Sequence, residues 1–151
     1  MRFILIFKIL INYTTKYNES IIANFQIETT VFIIENAYIS PRASVNDIIQ
    51  FVISILQNSQ EKHPIVFVGD FNFDMLQNDD AHKMFFSFMH AINFTLHTTK
   101  ATTDMGSMLD HFWMNISNDN ITFGISEAYW TDHHVIFLSI PLLALSNASL
   151  Q

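Results

Sequence analysis

The sequence predicts an α+β fold, with mixed β-sheets and two helices packed outside them. Three observations point there. Short runs of β-branched and aromatic residues recur along the chain, as strands do. Two longer stretches space their apolar residues three and four apart, as one face of a helix does. The connections are modest in length, with no repeat, linker or heptad among them, so the 151 residues are expected to form one domain.

In chain order, residues 1–11 place a basic residue ahead of an apolar run. Lys8 interrupts that run and no small-x-small site follows, so a strand is preferred over a signal peptide. The run is also too short to span a bilayer. Residues 21–25 and 31–34 read as strands with a polar connection over 26–30, and the second runs on to Pro41. Ser44 is an expected N-cap with Asp47 as its capping-box partner. Val45, Ile48, Ile49, Val52, Ile53 and Leu56 then form the stripe of a first helix. Pro64 leads into a central apolar strand from Ile65. Ala81, Met84, Phe85, Phe88, Met89 and Ile92 mark a second helix, whose Met and Phe stripe reads as core. Strands are expected over 94–97, 108–114, 121–123 and 135–140, with a polar loop over 98–107 and a tail, 142–151, without period.

Composition narrows the function. Half the residues are apolar and 14% are charged, which excludes wholesale disorder. No cysteine is present, which excludes disulfides and thiolate-based zinc or nucleophile chemistry. Seven Lys and Arg stand against fourteen Asp and Glu, for a net charge of −7. No basic cluster of the kind that grips many phosphates is visible, and part of the negative charge would suit an acidic metal site. Asn12, Asn93 and Asn120 begin Asn-x-Ser/Thr triplets, read as by-products of an Asn-rich composition rather than as glycosylation sites.

The chemistry concentrates at predicted strand ends. The central run breaks at Gly69 and sets Asp70 and Asn72 two positions apart, on one face if the chain stays extended. A carboxylate beside a carboxamide suits a hard cation or an oriented water; a polar turn is the plain alternative. Asp110 with His111, Asp132 with His133 and His134, and the Tyr38 segment are the other candidates. Singly, each is explained by a cap, a turn or edge packing. Jointly, and in this order, they point to a site.

These stretches resemble motifs of the endonuclease/exonuclease/phosphatase superfamily, the DNase I-like fold. Val68-Gly-Asp-Phe-Asn72 is similar to its Gly-Asp-Phe/Leu-Asn motif, and Ser107-Met-Leu-Asp-His-Phe112 to its Ser-x-Leu/Ile-Asp-His/Tyr-Ile/Phe motif. Thr131-Asp-His-His-Val-Ile136 resembles Ser-Asp-His-x-x-Ile, with Thr131 for Ser, and Ala37-Tyr-Ile-Ser-Pro41 resembles Val-Tyr-x-x-Pro. Thr98-Thr-Lys100 stands where Pro-Thr-Arg is often found. The resemblance covers about residues 21–140 and is nearest in flavour to the endonuclease domains of non-LTR retrotransposons.

It implies a truncated two-sheet sandwich with flanking helices, residues 1–151 forming one partial domain. The family's upstream Asn and its metal-binding Glu, usually in a Gln-Glu pair, have no counterpart here; Gln26-Ile-Glu28 lies too close to Tyr38. A gene fragment, a split domain and a decayed mobile-element remnant are the readings this suggests. The implied activity is Mg²⁺- or Mn²⁺-dependent phosphodiester hydrolysis, with DNA as substrate. Asp70 would act on the attacking water or serve as a metal ligand. Asn72 would position that water or the phosphate. His133 would donate to the phosphoryl group, Asp110 would hold the other nitrogen of His133, Tyr38 would bond a phosphate oxygen, and Asp132 would join Asp70 in binding the metal. A non-catalytic module of the same fold and a lipid or nucleotide phosphatase are the alternatives. A larger polyprotein or an upstream half-domain is an expected partner, a membrane is not, and an intracellular setting is preferred over a secreted one.

Overall fold

The computed structural model describes residues 5–14, 18–27, 30–58, 63–116 and 121–139. In order they form β1 (Leu5–Thr14), β2 (Asn18–Ile27), β3 (Thr30–Ile39), α1 (Val45–Asn58), β4 (Ile65–Asp70), α2 (Asp80–Ala91), β5 (Thr95–Leu96), β6 (Asp110–Met114), β7 (Thr122–Ser126) and β8 (Val135–Ser139). Six strands make one sheet, ordered β1-β2-β3-β4-β6-β5, and β7 pairs with β8 in a second. The predicted α+β class holds, and the large sheet is mixed. β3 and β4 run parallel, with α1 as the crossover such a pair requires. The other neighbours are antiparallel. Among the described residues no helix is long and apolar enough to cross a membrane.

Local chemistry explains most boundaries. Ser44 and Asp47 close the expected capping box: the Ser44 amide donates to Asp47 Oδ2 at 2.8 Å and the Asp47 amide to Ser44 Oγ at 3.2 Å. Such a cap contributes about 1 kcal/mol. Asp79 caps α2 by accepting from the His82 amide at 3.0 Å. On α2, Phe85 and Met89 are buried, but Met84, counted in the predicted stripe, is exposed. It lies roughly 100° around the helix from Phe85, outside the face that meets the sheet.

Several boundaries differ from expectation, β7 running Thr122–Ser126 rather than 121–123 and β5 only Thr95–Leu96. β2 and β3 pair without a break from Asn18↔Ile39 to Ile27↔Thr30, so Gln26, Ile27 and Thr30 belong to the hairpin rather than to a connection. β6 begins at Asp110 and not at Met108, because the amides of Met108 and Leu109 bond to the side chains of Asp74 and Thr102. Residues 1–4, 28–29, 140 and the 142–151 tail lie outside the described residues.

The large sheet buries both faces. One packs Ile33, Ala37, Ile39, Ile65, Phe67 and Trp113 against Ile48, Phe51, Val52 and Ile55 of α1 and Phe85 and Met89 of α2. The other packs Phe32, Val66, Phe112 and Met114 against Phe123, Ile136 and Leu138 of the β7–β8 hairpin. Each such side chain, fully buried, contributes roughly 1.5–3 kcal/mol. The result is helices, sheet and small sheet in three layers.

Glu35 breaks the apolar rule. It points into the helix-side core beside Ile33 and Ala37, is fully buried, and among the described residues neither carboxyl oxygen has a partner in good hydrogen-bond geometry, with the Ser20 hydroxyl its nearest polar influence. Burial pushes its pKa from 4.5 to about 7; Ser20, diagonal to it on β2, draws the value back only partly. The folded chain therefore holds this proton while the unfolded chain loses it, so stability falls as pH rises from about 4.5 to about 7. The displacement corresponds to roughly 3 kcal/mol. Glu35→Gln, which does not ionise, is expected to gain on the wild type across that window and to hold a constant advantage above it, measured by urea denaturation at stepped pH. A difference that does not vary with pH would show that Glu35 ionises freely in the folded chain.

Candidate active site

The β4–β6 register places Asp70 directly opposite Asp110, and the β3–β4 register places Tyr38 beside Asp70. Glu19 of β2 pairs in turn with Tyr38. Directly paired residues share a face, so Glu19, Tyr38, Asp70 and Asp110 form one row across four strands. The row lies on the face that carries β7 and β8, at the end of the sheet where β3 and β4 finish. Adjacent strands are about 4.8 Å apart, so Glu19 stands about 10 Å from Asp70. Glu19 is exposed and stands outside the cluster formed by Asp70, Asp110 and His133, and only pairing reveals its place in the row.

Gly69 makes this row possible. Its φ is +137°, and a Cβ there would lie 1.9 Å from the Ala37 carbonyl oxygen. Both the dihedral and the close approach of β3 demand glycine. Immediately beyond, the chain turns. Asn72 has φ of 47°, a left-handed conformation that asparagine tolerates. The expected juxtaposition of Asp70 and Asn72 is present, but alternation along a strand is not its cause, since the strand has already ended. The Asn72 amide donates to Asp70 Oδ1 at 2.9 Å, and its Nδ2 donates to Asp70 Oδ2 at 3.1 Å and to the Ile39 carbonyl at 2.9 Å. Both carboxamide hydrogens are thus engaged. Asn72 holds the Asp70 carboxylate still and ties the end of β4 to the end of β3.

His133 reaches the row from the loop that leads into β8. Its Nδ1 lies 2.9 Å from Asp110 Oδ2. The loops on either side are fastened: Thr103 bridges to His133, the Asp104 amide donates to the Asp132 carbonyl at 2.9 Å, and the His134 amide donates to the Thr102 carbonyl at 2.8 Å. Partial burial alone would lower the His133 pKa, but the Asp110 hydrogen bond and the charges of Asp110, Asp70 and Asp132 outweigh it and hold it above 6.5. Burial raises the Asp70 pKa, with Asp110 adding to the rise against the Asn72 bonds and the His133 charge.

The fold is shared with known structures, though no family model and no curated protein matches the sequence. The endonuclease domain of TRAS1, a telomere-specific non-LTR retrotransposon, superposes with a TM-score of 0.70 at 15% identity, over 91% of this chain and 68% of that one. An endonuclease/exonuclease/phosphatase family protein from Bacteroides thetaiotaomicron gives 0.59 at 13% identity, over 87% and 65%. The human Nocturnin catalytic domain with bound sulfate gives 0.55 at 18% identity, over 88% and 59%. The chain has the DNase I-like fold. It spans 59–68% of the length of these three structures.

Within that fold, the side chains that close on one another are Asp70, Asp110 and His133, whose ligand atoms all lie within 4.8 Å. Two carboxylates and an imidazole, with the carboxylates repelling each other, suit a hard divalent ion such as Mg²⁺ or Mn²⁺ through Asp70 and Asp110. Asp132, the expected second metal ligand, is exposed and stands outside this cluster; its carbonyl instead fastens the Asp104 amide. Tyr38 is half exposed beside Asp70.

His111, next to Asp110, faces the other way. It is fully buried, its Nε2 donates to the carbonyls of Phe73 at 2.9 Å and Met108 at 3.1 Å, and burial pushes its pKa down to about 4. It is a neutral fastener for the loop ahead of β6. Asp74 fastens the same loop, accepting from the Met108 amide at 2.8 Å. Neither role has a sequence signal beyond an acid or a histidine near a motif.

Calorimetric titration with Mg²⁺ ranks the acids. Asp70→Asn and Asp110→Asn are each expected to weaken binding roughly tenfold or more, while Asp132→Asn leaves it nearly unchanged. The opposite ranking would move the ion toward Asp132 and away from the β4–β6 row.

Proposed function

We propose that this chain is a divalent-metal-dependent phosphodiesterase that acts on DNA, with residues 1–151 forming one partial domain of the DNase I-like fold. The observation that carries the proposal is the Asp110–His133 hydrogen bond, with Asp70 opposite Asp110 in the strand register. The similar structures, an endonuclease domain among them, are in keeping with it. Because the chain spans about two thirds of that domain's length, full activity is proposed for it only together with an upstream half-domain or the remainder of a polyprotein.

The chain's own residues divide the work. Asp110 engages Nδ1 of His133 and leaves Nε2 to donate to a phosphoryl oxygen. The raised pKa keeps the ring protonated at higher pH than a free imidazole, so it supplies positive charge where the transition state accumulates negative charge. Tyr38 offers its hydroxyl to a second phosphate oxygen. Asp70, immobilised by Asn72, orients the attacking water and accepts its proton, or serves with Asp110 as a metal ligand. A bound Mg²⁺ or Mn²⁺ would neutralise charge on the phosphate.

A cluster with two carboxylates rather than three also fits a non-catalytic module of the same fold, and one assay separates the two. Nicking of supercoiled plasmid is expected to be slow, Mg²⁺-dependent and blocked by EDTA. His133→Ala is expected to lower it on the order of a hundredfold or more, and His134→Ala to leave most of it. Nicking that survives EDTA, or that His134→Ala removes and His133→Ala spares, would contradict the proposal.

A further inference from the structure

Three large apolar side chains stand almost free in solvent around this site. Met105 is 89% exposed, Tyr129 93% and Trp130 80%. Single exposed apolar residues are ordinary. These three sit on two loops that are stitched together at the catalytic pair. Met105 occupies the tip of a tight loop closed by the Thr102 amide to the Ser107 carbonyl at 2.7 Å, the Gly106 amide to the Thr103 carbonyl at 3.0 Å, and the Thr103 and Ser107 hydroxyls at 2.6 Å. Tyr129 and Trp130 immediately precede Thr131, whose hydroxyl accepts from the His133 amide at 3.2 Å. The bonds between the 102–104 and 132–134 segments join the two loops. The exposure is therefore held in place by the same backbone bonds that position His133.

The charges around the site disfavour any nucleic acid held chiefly by its phosphates, duplex or single strand. Loops 40–44, 71–79, 97–109 and 127–134 contain two basic residues, Arg42 and Lys100, against five acids: Asp74, Asp79, Asp104, Glu127 and Asp132. A backbone-gripping surface would reverse that balance. Aromatic faces bind nucleic acid differently, by stacking on bases, and every unpaired base offers a face.

We infer that Tyr129 and Trp130, with Met105 on the loop bonded to theirs, form a stacking lip that holds unpaired DNA bases next to the phosphate at Asp110 and His133, so that the preferred ligand is a single-stranded or unstacked segment rather than intact duplex. The inference rests on the phosphodiesterase proposal for the nature of the ligand, but its test requires no turnover.

Trp130 also supplies the probe. The chain has two tryptophans; Trp113 is fully buried, so quenching of solvent-exposed emission reports Trp130. In EDTA, a fluorescein-labelled twelve-nucleotide oligo(dT) and a twelve-base-pair duplex are titrated with the whole chain, following anisotropy for affinity, with tryptophan emission followed on the unlabelled strand. The strand is expected to bind more tightly than the duplex and to quench the exposed emission. Trp130→Ala, a surface change with little bearing on folding, is expected to weaken strand binding by roughly five- to a hundredfold and duplex binding far less; circular dichroism checks the fold. Strand binding unchanged by both Trp130→Ala and the Tyr129→Ala/Trp130→Ala double variant would overturn the lip, and so would tighter binding of the duplex. If Mg²⁺-dependent nicking persists alongside that result, the lip fails and the phosphodiesterase proposal stands. If the lip binds strand but no nicking is found, the reverse holds.

Discussion

The contact between β3 and β4 governs the rest of the structure. At Gly69 the two backbones approach so closely that a single added carbon would meet the Ala37 carbonyl. That approach sets the parallel register, Ala37 opposite Gly69 and Tyr38 opposite Asp70, and the antiparallel β4–β6 pairing then sets Asp110 opposite Asp70. A slip of one residue would send Asp70 into the helix-side core and destroy the row. The same backbone feature thus decides packing on one face and chemistry on the other.

Around this register the protein sorts its ionisable groups by face and by partner. Asp70, Asp110 and His133 stand in partial contact with solvent, where opposite charges moderate one another. His111, one residue from Asp110, is driven neutral by full burial and is satisfied by two carbonyls. Glu35 is also driven toward its neutral form by burial, but without such partners, which makes it a liability for stability rather than a fastener. Alternation along β6 separates the first two cases: Asp110 faces the second sheet, and His111 faces Phe71 and Trp113.

Local signals were legible in the sequence where the physics is local. The Ser44–Asp47 box, the α1 stripe and the apolar run ending at Gly69 each depend on residues within a few positions. The choice of His133 over His134 as the residue facing Asp110 came from the likeness of Asp132-His133 to the family's Asp-His motif, and the structure places His133 there. What depends on pairing was not legible. Glu19 joins the row only through two sheet registers. Asp74, 34 residues upstream, and Thr102, seven upstream, shorten β6 by capturing the amides of Met108 and Leu109. Asn72 sits beside Asp70 because of a left-handed turn that an extended-chain rule does not foresee. Asp132 matched a motif, yet it stands on the exposed side of the loop whose next residue turns inward.

The central claim is that Asp110 of β6 and His133 of the loop before β8 act as one coupled pair beside Asp70. The most direct test is the titration of the His133 ring by two-dimensional NMR in the wild type and in Asp110→Asn, without metal. The wild-type ring is expected to titrate above 6.5, because its carboxylate neighbours outweigh its partial burial, and to fall when Asp110 is neutralised. A His133 pKa at or below 6.5 in the wild type, unmoved by Asp110→Asn, would contradict the account.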